Sequence, residues 1–356
     1  MEGAVIPDHR GAALAPPVRR SEDAIRSSAV KRRLAQLHHL RNSELTLSLV
    51  ARPSLQVAVL TVSLLSSFVG GALANQKVCR SLEQRYEQIE KAATTIEVNA
   101  TLFSAADKGC PDLAKRLLEQ GASLEARDRL GIEPLGRAAA SGQAEIVTLF
   151  LDRGAAINAR AIDGSTALYQ AAEAGRLPIV QLLVAHGADV RLPGRSGIAP
   201  LSAAAYMGSE PIVELLIEKG ADPNALDSTE KAAITYAAGR GFPDIVRLLL
   251  DHGVDVNARY GNDLTVLMWA AGYSDEAGVD DMNKVITLLL DRGAHIDDQD
   301  NRGRTPLMIA AELNHAVAVD LLLARGADKS LRDKQGKSAA DLTSLTALRE
   351  KLAATH

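Results

Sequence analysis

From about Asn99 onward, the apolar and polar positions repeat a single pattern every 33 residues. The stretch Asp163 to Asp189 shows it whole. Asp163-Gly164 is a turn signal, Thr166-Ala167-Leu168 starts a short helix holding the small pair Ala171-Ala172, and Gly175 ends it. Pro178 opens a second helix with an apolar stripe of Ile179, Val180, Leu182, Leu183 and Val184. Gly187 stops that helix, because glycine takes positive φ without a steric penalty. Each unit therefore reads turn, helix, tight turn, helix, loop. Helices this short are unstable alone, and the alanines let neighbours approach closely, so the pattern predicts units stabilised by stacking.

The closing glycine recurs at Gly121, Gly154, Gly187, Gly220, Gly253, Gly293 and Gly326. Only the interval Gly253 to Gly293 departs from 33; it is 40, so seven extra residues enter the sixth unit. Aligning the units on their first-helix leucine gives Leu102, Leu135, Leu168, Leu201, Ile234, Leu267 and Leu307, and Gly336 to Leu342 reads as a partial terminal cap. Around that leucine stand Glu133-Pro134-Leu135-Gly136-Arg137-Ala138-Ala139, Thr166-Ala167-Leu168-Tyr169-Gln170-Ala171-Ala172 and Thr305-Pro306-Leu307-Met308-Ile309-Ala310-Ala311.

In period, element order and this block, the chain resembles the ankyrin repeat family. The resemblance implies an all-α solenoid of helix-turn-helix units with hairpin-like loops over 98–356, about seven repeats and a C-terminal cap. The family's histidine is missing throughout, replaced by Phe103, Gly136, Tyr169, Ser202, Thr235, Met268 and Met308. That bears on the capping hydrogen bonds such a histidine makes, not on the fold.

The extra residues lie between Ala270-Ala271 and Val285-Ile286, centred on 274–282. Asp275, Glu276, Asp280 and Asp281 invite a calcium reading, yet they lack the alternate-position ligand spacing with a following glutamate. The expectation is a solvated, lengthened inter-helix loop, which is a secondary contact candidate because loops that break a repeat often carry function.

The N-terminus is a different kind of sequence. Residues 1–52 hold nine Lys or Arg against five acidic residues, with Pro16-Pro17 and no sustained apolar periodicity, which predicts a largely disordered leader. Residues 53–76 carry no charge, and 55–74 are apolar enough for a helix of about 30 Å, the thickness of a bilayer core. Two readings stay open: an uncleaved signal anchor, favoured by the long basic leader, or the core of a cleaved signal ending at Gly70-Gly71-Ala72-Leu73-Ala74. Either places the repeats on the extracytoplasmic, periplasmic-type side, membrane-anchored or exported. Residues 77–97 predict a charged helical linker, with Leu82, Tyr86 and Ile89 on one face, bridging membrane and repeats and placed to cover the first unit. In an exported protein, a Cys79–Cys110 disulfide would tie this linker to the first inter-helix turn; two free thiols are the alternative.

Composition narrows the function. A net charge of -4 gives no basic face for nucleic acid. No phosphate loop, G-x-S-x-G, H-E-x-x-H or C-x-x-C is present, so no catalytic residue, metal, cofactor or small-molecule substrate is expected. His186 and His252 precede closing glycines, where they suit a helix C-terminus. The expected function is a non-enzymatic protein-protein interaction scaffold. The alternatives are an accessory or inhibitory subunit of one envelope enzyme, or a secreted host-directed effector. The family resemblance implies a concave groove lined by loop tips and first helices. Here that selects Tyr206, Met207, Tyr236, Arg240, Tyr260, Leu264, Trp269 and Tyr273, with Arg195, Arg302 and Arg304. Exposed aromatics flanked by arginines are what binding hot spots are made of. Tyr236 and Trp269 hold equivalent places in adjacent units and are expected to be neighbours; the competing role is to fill the gap between stacked helices.

Overall fold

The computed structural model describes residues 76–273 and 278–354. The expectations for the basic leader and for the apolar segment 55–74 lie outside these residues. Among the described residues no helix is long and apolar enough to cross a membrane.

A leading helix, α1 (76–87), precedes the array. The helix pairs then follow in order: α2 (Thr95–Lys108) with α3 (Pro111–Glu119), α4 (Pro134–Ser141) with α5 (Ala144–Asp152), and α6 (Ala167–Glu173) with α7 (Leu177–Ala185). Next come α8 (Pro200–Met207) with α9 (Glu210–Glu218), and α10 (Ala233–Arg240) with α11 (Pro243–Asp251). The array continues with α12 (Val266–Ala271) and α13 (Val279–Asp291), α14 (Pro306–Glu312) and α15 (Ala316–Ala324), and ends in α16 (Ala339–Leu342) and α17 (Thr346–Ala353). First helices pack on first helices and second helices on second helices, so the chain forms two parallel layers with one continuous core.

The alanine pairs set the closeness of that stacking. Ala138-Ala139, Ala171-Ala172, Ala204-Ala205, Ala237-Ala238, Ala270-Ala271 and Ala310-Ala311 are all wholly buried. Any larger side chain there would push two units apart, since close-packed interiors have no spare volume. The capping that the missing histidine puts in question is supplied by main chain. Thr166, Thr265 and Thr305 each accept through Oγ1 from the N–H of Tyr169, Met268 and Met308, at 3.2, 3.4 and 3.3 Å. The acceptor needs only a backbone donor at that position, which any residue but proline provides.

The loops are hairpins that brace one another. At their first position Asp128, Asp227, Asp300 and Asp333 each accept the N–H groups two and four residues on, through one carboxylate oxygen. Neighbouring tips are joined by main-chain bonds such as Ile162 N–H to Leu130 O at 3.0 Å and Ser228 N–H to Ser196 O at 2.9 Å. Arginines cross between units: Arg127 Nη1 donates to Arg160 O at 2.7 Å and Arg259 Nη1 to Gln299 O at 2.8 Å. In unit six the hairpin is regular enough to pair as β1 (Arg259–Tyr260) and β2 (Leu264–Thr265), antiparallel, with Arg259 opposite Thr265.

Helix α1 covers the exposed end of the first unit. Tyr86 is buried and donates its hydroxyl to Gln120 Oε1 at 2.7 Å, with the Arg116 guanidinium 5.6 Å from its ring centroid. Cys79 and Cys110 are joined, with their Cα atoms 5.3 Å apart. Leu82 packs on the core, but Ile89, predicted on the same face, is exposed because the helix stops at 87. The first repeat helix also begins earlier than 98. Thr94 and Glu97 form a reciprocal capping box that starts it at Thr95.

The insertion corrects one expectation. Part of it is helical: α13 runs 13 residues from Val279, four more than the usual second helix of nine. Met282 continues the buried stripe of Val285, Ile286 and Leu289 one turn toward the N-terminus, and Asp280 and Asp281 sit in the first turn, where the helix dipole favours them. Residues 274–277 lie outside the described residues.

Candidate functional site

Units four to six place aromatic rings and cations in one row on the face formed by first helices and hairpins. Tyr206 and Met207 end α8 and are exposed, Met207 by 47%. The edge of one ring meets the face of the other where Tyr206 packs on Tyr236, with centroids 6.0 Å apart and an 89° interplanar angle. The Arg240 guanidinium lies 4.6 Å from the Tyr206 centroid. Lys231 Nζ lies 4.9 Å from the Trp269 centroid and 5.8 Å from that of Tyr236. Tyr236 and Trp269 are thus linked through the Lys231 ammonium above both rings. The order along the row is Arg240, Tyr206, Tyr236, Lys231, Trp269.

The hairpin of unit five fixes this row. Tyr236 donates its hydroxyl to Asp227 Oδ2, while Asp227 Oδ1 holds Thr229 and the Lys231 N–H. Burial, and then the bonded Asp227 carboxylate, push the Tyr236 phenol well above its ordinary range, so it stays a donor at any physiological pH. For Asp227, burial works toward a higher pKa but is outweighed by the hydrogen bonds from Tyr236, Thr229 and Lys231, and its carboxyl is held below the usual range. The carboxylate is therefore ionised and fully engaged.

One glycine, Gly239, leaves the first-helix backbone open as a trough beside the row, whereas at Gly272 the same position is closed by Ile309, whose Cγ2 a Cβ would meet at 3.0 Å. The first-helix position occupied by Tyr206 in unit four and Glu312 in unit seven is Gly239 in unit five and Gly272 in unit six. A Cβ on Gly239 would meet only Trp269 O, at 3.8 Å, so the helix backbone there is open to an approaching group. Beyond Gly272, Tyr273 stacks on His315 at 3.8 Å and 20°, and His315 Nδ1 lies 2.9 Å from Ala271 O.

The remaining predicted groove residues are placed less uniformly. Tyr260 is a correction: it is only 6% exposed, because it takes the inward first hairpin position that other units give to aspartate. Its hydroxyl is enclosed without a hydrogen-bond partner among the described residues, and burial, then Asp255, push its pKa up to about 12. Arg304 is held rather than presented. Its side chain is 15% exposed and donates to Asp300 Oδ2 at 2.9 Å and Glu312 Oε2 at 2.7 Å. Arg195 donates to Glu173 Oε1 at 2.9 Å but keeps an exposed face, Arg302 is exposed at its tip, and Leu264 is half-buried in β2. The open position at Gly239 is readable from a first-helix alignment, which sets it against Tyr206 and Glu312.

A second concavity lies at the other end of the array. A cleft of about 740 Å³ is lined by Ile96, Phe103, Arg129 and Arg137, among others. Arg137 is tied to Asp128 at 2.7 Å, and Ile96 is exposed. His186 and His252 each set Nδ1 2.8 Å from the carbonyl four residues back, Leu182 O and Leu248 O, at the ends of their helices. Among the described residues no three His, Cys, Asp or Glu side chains converge as metal ligands do.

Helix pairs stacked in two layers, hairpins braced tip to tip and a ring-lined face define a repeat solenoid of the kind that binds other macromolecules along one side. Models of tandem ankyrin repeats match residues 102–194 and 201–300, and a further ankyrin repeat model matches 289–342. The chain belongs to the ankyrin repeat family. It is similar to the crystal structure of the human ASB11 ankyrin repeat domain, with 29% identity and a TM-score of 0.56 over 62% of this chain and 96% of that one.

Proposed function

We propose that this protein is a non-enzymatic scaffold that seats a protein partner on the face of units four to six and presents it outside the cytoplasm. The observation that carries the binding face is the Arg240–Tyr206–Tyr236–Lys231–Trp269 row, whose rings and cations pack on one another without a partner. Preordered aromatic anchors lose little entropy on binding, which is why they dominate interface energetics. The extracytoplasmic reading is supported by the apolar segment 55–74 behind a basic leader and by the joined Cys79 and Cys110, since disulfides persist in oxidising compartments. If 55–74 is retained, it tethers the array to the membrane.

A photo-cross-linking residue at Met207, with a control at exposed Val317 on α15, tests the binding face in the cell that makes the protein. A discrete adduct at Met207 and none at Val317 is expected. Equal labelling at both positions, or none at Met207, rejects this face. Protease treatment of intact and permeabilised cells tests the location, with digestion of the repeats without cytoplasmic access as the expected result.

A further inference from the structure

We infer that the trough over units five and six takes an extended acidic segment of the partner, one that sets a carboxylate beside an aromatic or aliphatic side chain. This rests on the face of units four to six being the binding face.

The rings themselves exclude a cationic ligand. An aromatic face attracts cations through its quadrupole, but here those faces are already used: Arg240 lies over Tyr206, and Lys231 lies over Trp269 and Tyr236. What the row offers a newcomer is the outer side of the Lys231 ammonium. Arg137, Arg195 and Arg304 each reach a carboxylate, whereas no carboxylate lies within 4.0 Å of Lys231 Nζ among the described residues. The Lys231 main chain is anchored, its N–H donating to Asp227 Oδ1 at 3.2 Å and its carbonyl accepting from Asp227 N–H at 2.9 Å, which sets where the side chain starts beside the two rings. The Asp227 carboxylate itself is spent on Tyr236 and Thr229. An ammonium with no carboxylate among the described residues gains from a partner's carboxylate through a charge-assisted hydrogen bond.

The apolar half follows from Gly239. A Cβ there would have only Trp269 O within 4 Å, at 3.8 Å, so the open backbone leaves room for a side chain with carbon surface. Rings, glycine and cations lie in a row across adjacent units, which suits an extended strand. A nucleic acid strand brings anions and flat bases too, but it needs a stripe of Lys and Arg along its backbone, and one ammonium beside two rings matches a single carboxylate better.

Trp269 is the only tryptophan in the chain, so its emission reports on this trough alone. The probe is an eight-residue acetylated, amidated peptide of alternating Phe and Glu, compared with counterparts carrying Gln or Lys in place of Glu, titrated into the full chain. The Glu peptide is expected to change Trp269 emission saturably and to bind about tenfold or more tightly than the Gln peptide, with the Lys peptide weakest. Lys231→Gln should bring the Glu peptide down to the level of the Gln peptide, while Lys231→Arg should retain binding, with far-ultraviolet circular dichroism unchanged in both variants. Equal binding of the Gln or Lys peptide, no effect of Lys231→Gln, or no saturable response to any peptide overturns the acidic-segment inference. Each of those outcomes leaves the binding face itself standing if Met207 still cross-links and Val317 does not.

Discussion

The ring of Tyr169 stands where a side chain on Gly194 would go: a Cβ at Gly194 would come within 2.6 Å of Tyr169 Cδ2. Tyr169 fills the family's histidine position in unit three, and Gly194 fills the first hairpin position in unit four, which is aspartate at 128, 227, 300 and 333. The two departures compensate each other across a unit boundary. Gly194→Ala is expected to destabilise by about 1–3 kcal/mol, as overpacking of a filled interior does. Its cost should shrink sharply in a Tyr169→Ser background, because the obstructing ring is gone. Urea midpoints of the two single variants and the double variant check this, and additive costs contradict it.

The Cys79–Cys110 bridge spans 31 residues of sequence and pins α1, which carries the buried Tyr86, against the first unit. In the chain-entropy account, closing a loop of that size is worth about 3–4 kcal/mol. Dithiothreitol, or Cys79→Ala with Cys110→Ala, should lower the melting temperature and raise hydrogen exchange in α1 and α3 first. Identical melting with and without reductant would show that the bridge contributes nothing.

Asp128 and Asp227 anchor hairpins, and both carboxyls are held below their ordinary value, since burial is outweighed by the hydrogen bonds they accept. A depressed folded pKa means the contribution is complete above the unfolded value, about 3.9, and is lost as pH falls below it through the folded pKa. Stability should therefore be flat in this contribution above about pH 5 and fall below about pH 4. Asp227→Ala should remove about 2–3 kcal/mol at neutral pH and flatten the acid limb, because hydrogen bonds to a charged group are lost. An acid limb unchanged by Asp227→Ala would refute the assignment.

Tyr260 buries a hydroxyl that finds no partner among the described residues. Such a group carries a desolvation cost without a compensating bond, so Tyr260→Phe should be neutral or stabilising by up to about 1 kcal/mol. Chemical denaturation decides it; a loss of more than 1 kcal/mol would mean that the hydroxyl is bonded.

The repeat was legible because stacking imposes it at every unit: glycine ends, proline starts and alanine pairs are local demands that each unit must meet. Tyr260 was misread because its place follows from hairpin geometry, in which the first position points inward whatever residue occupies it. The helical start of the insertion was hidden in an acidic stretch that reads as loop. Met282 was the clue, lying three residues before Val285 on the buried stripe. The row on units four to six was partly legible. Equivalent positions named Tyr236 and Trp269, but the ammonium of Lys231 between them depends on the Asp227 anchor, a tertiary detail that spacing does not carry.

The central claim is that the ringed face of units four to six holds the partner. Trp269→Ala in the chain carrying the photo-cross-linker at Met207 tests it most directly, read as the yield of the Met207 adduct in the native cell. Truncating a hot-spot aromatic costs about 2 kcal/mol or more, so partner affinity should fall about thirtyfold and the adduct should largely disappear while thermal unfolding stays cooperative. An undiminished adduct from a folded Trp269→Ala protein would contradict the claim.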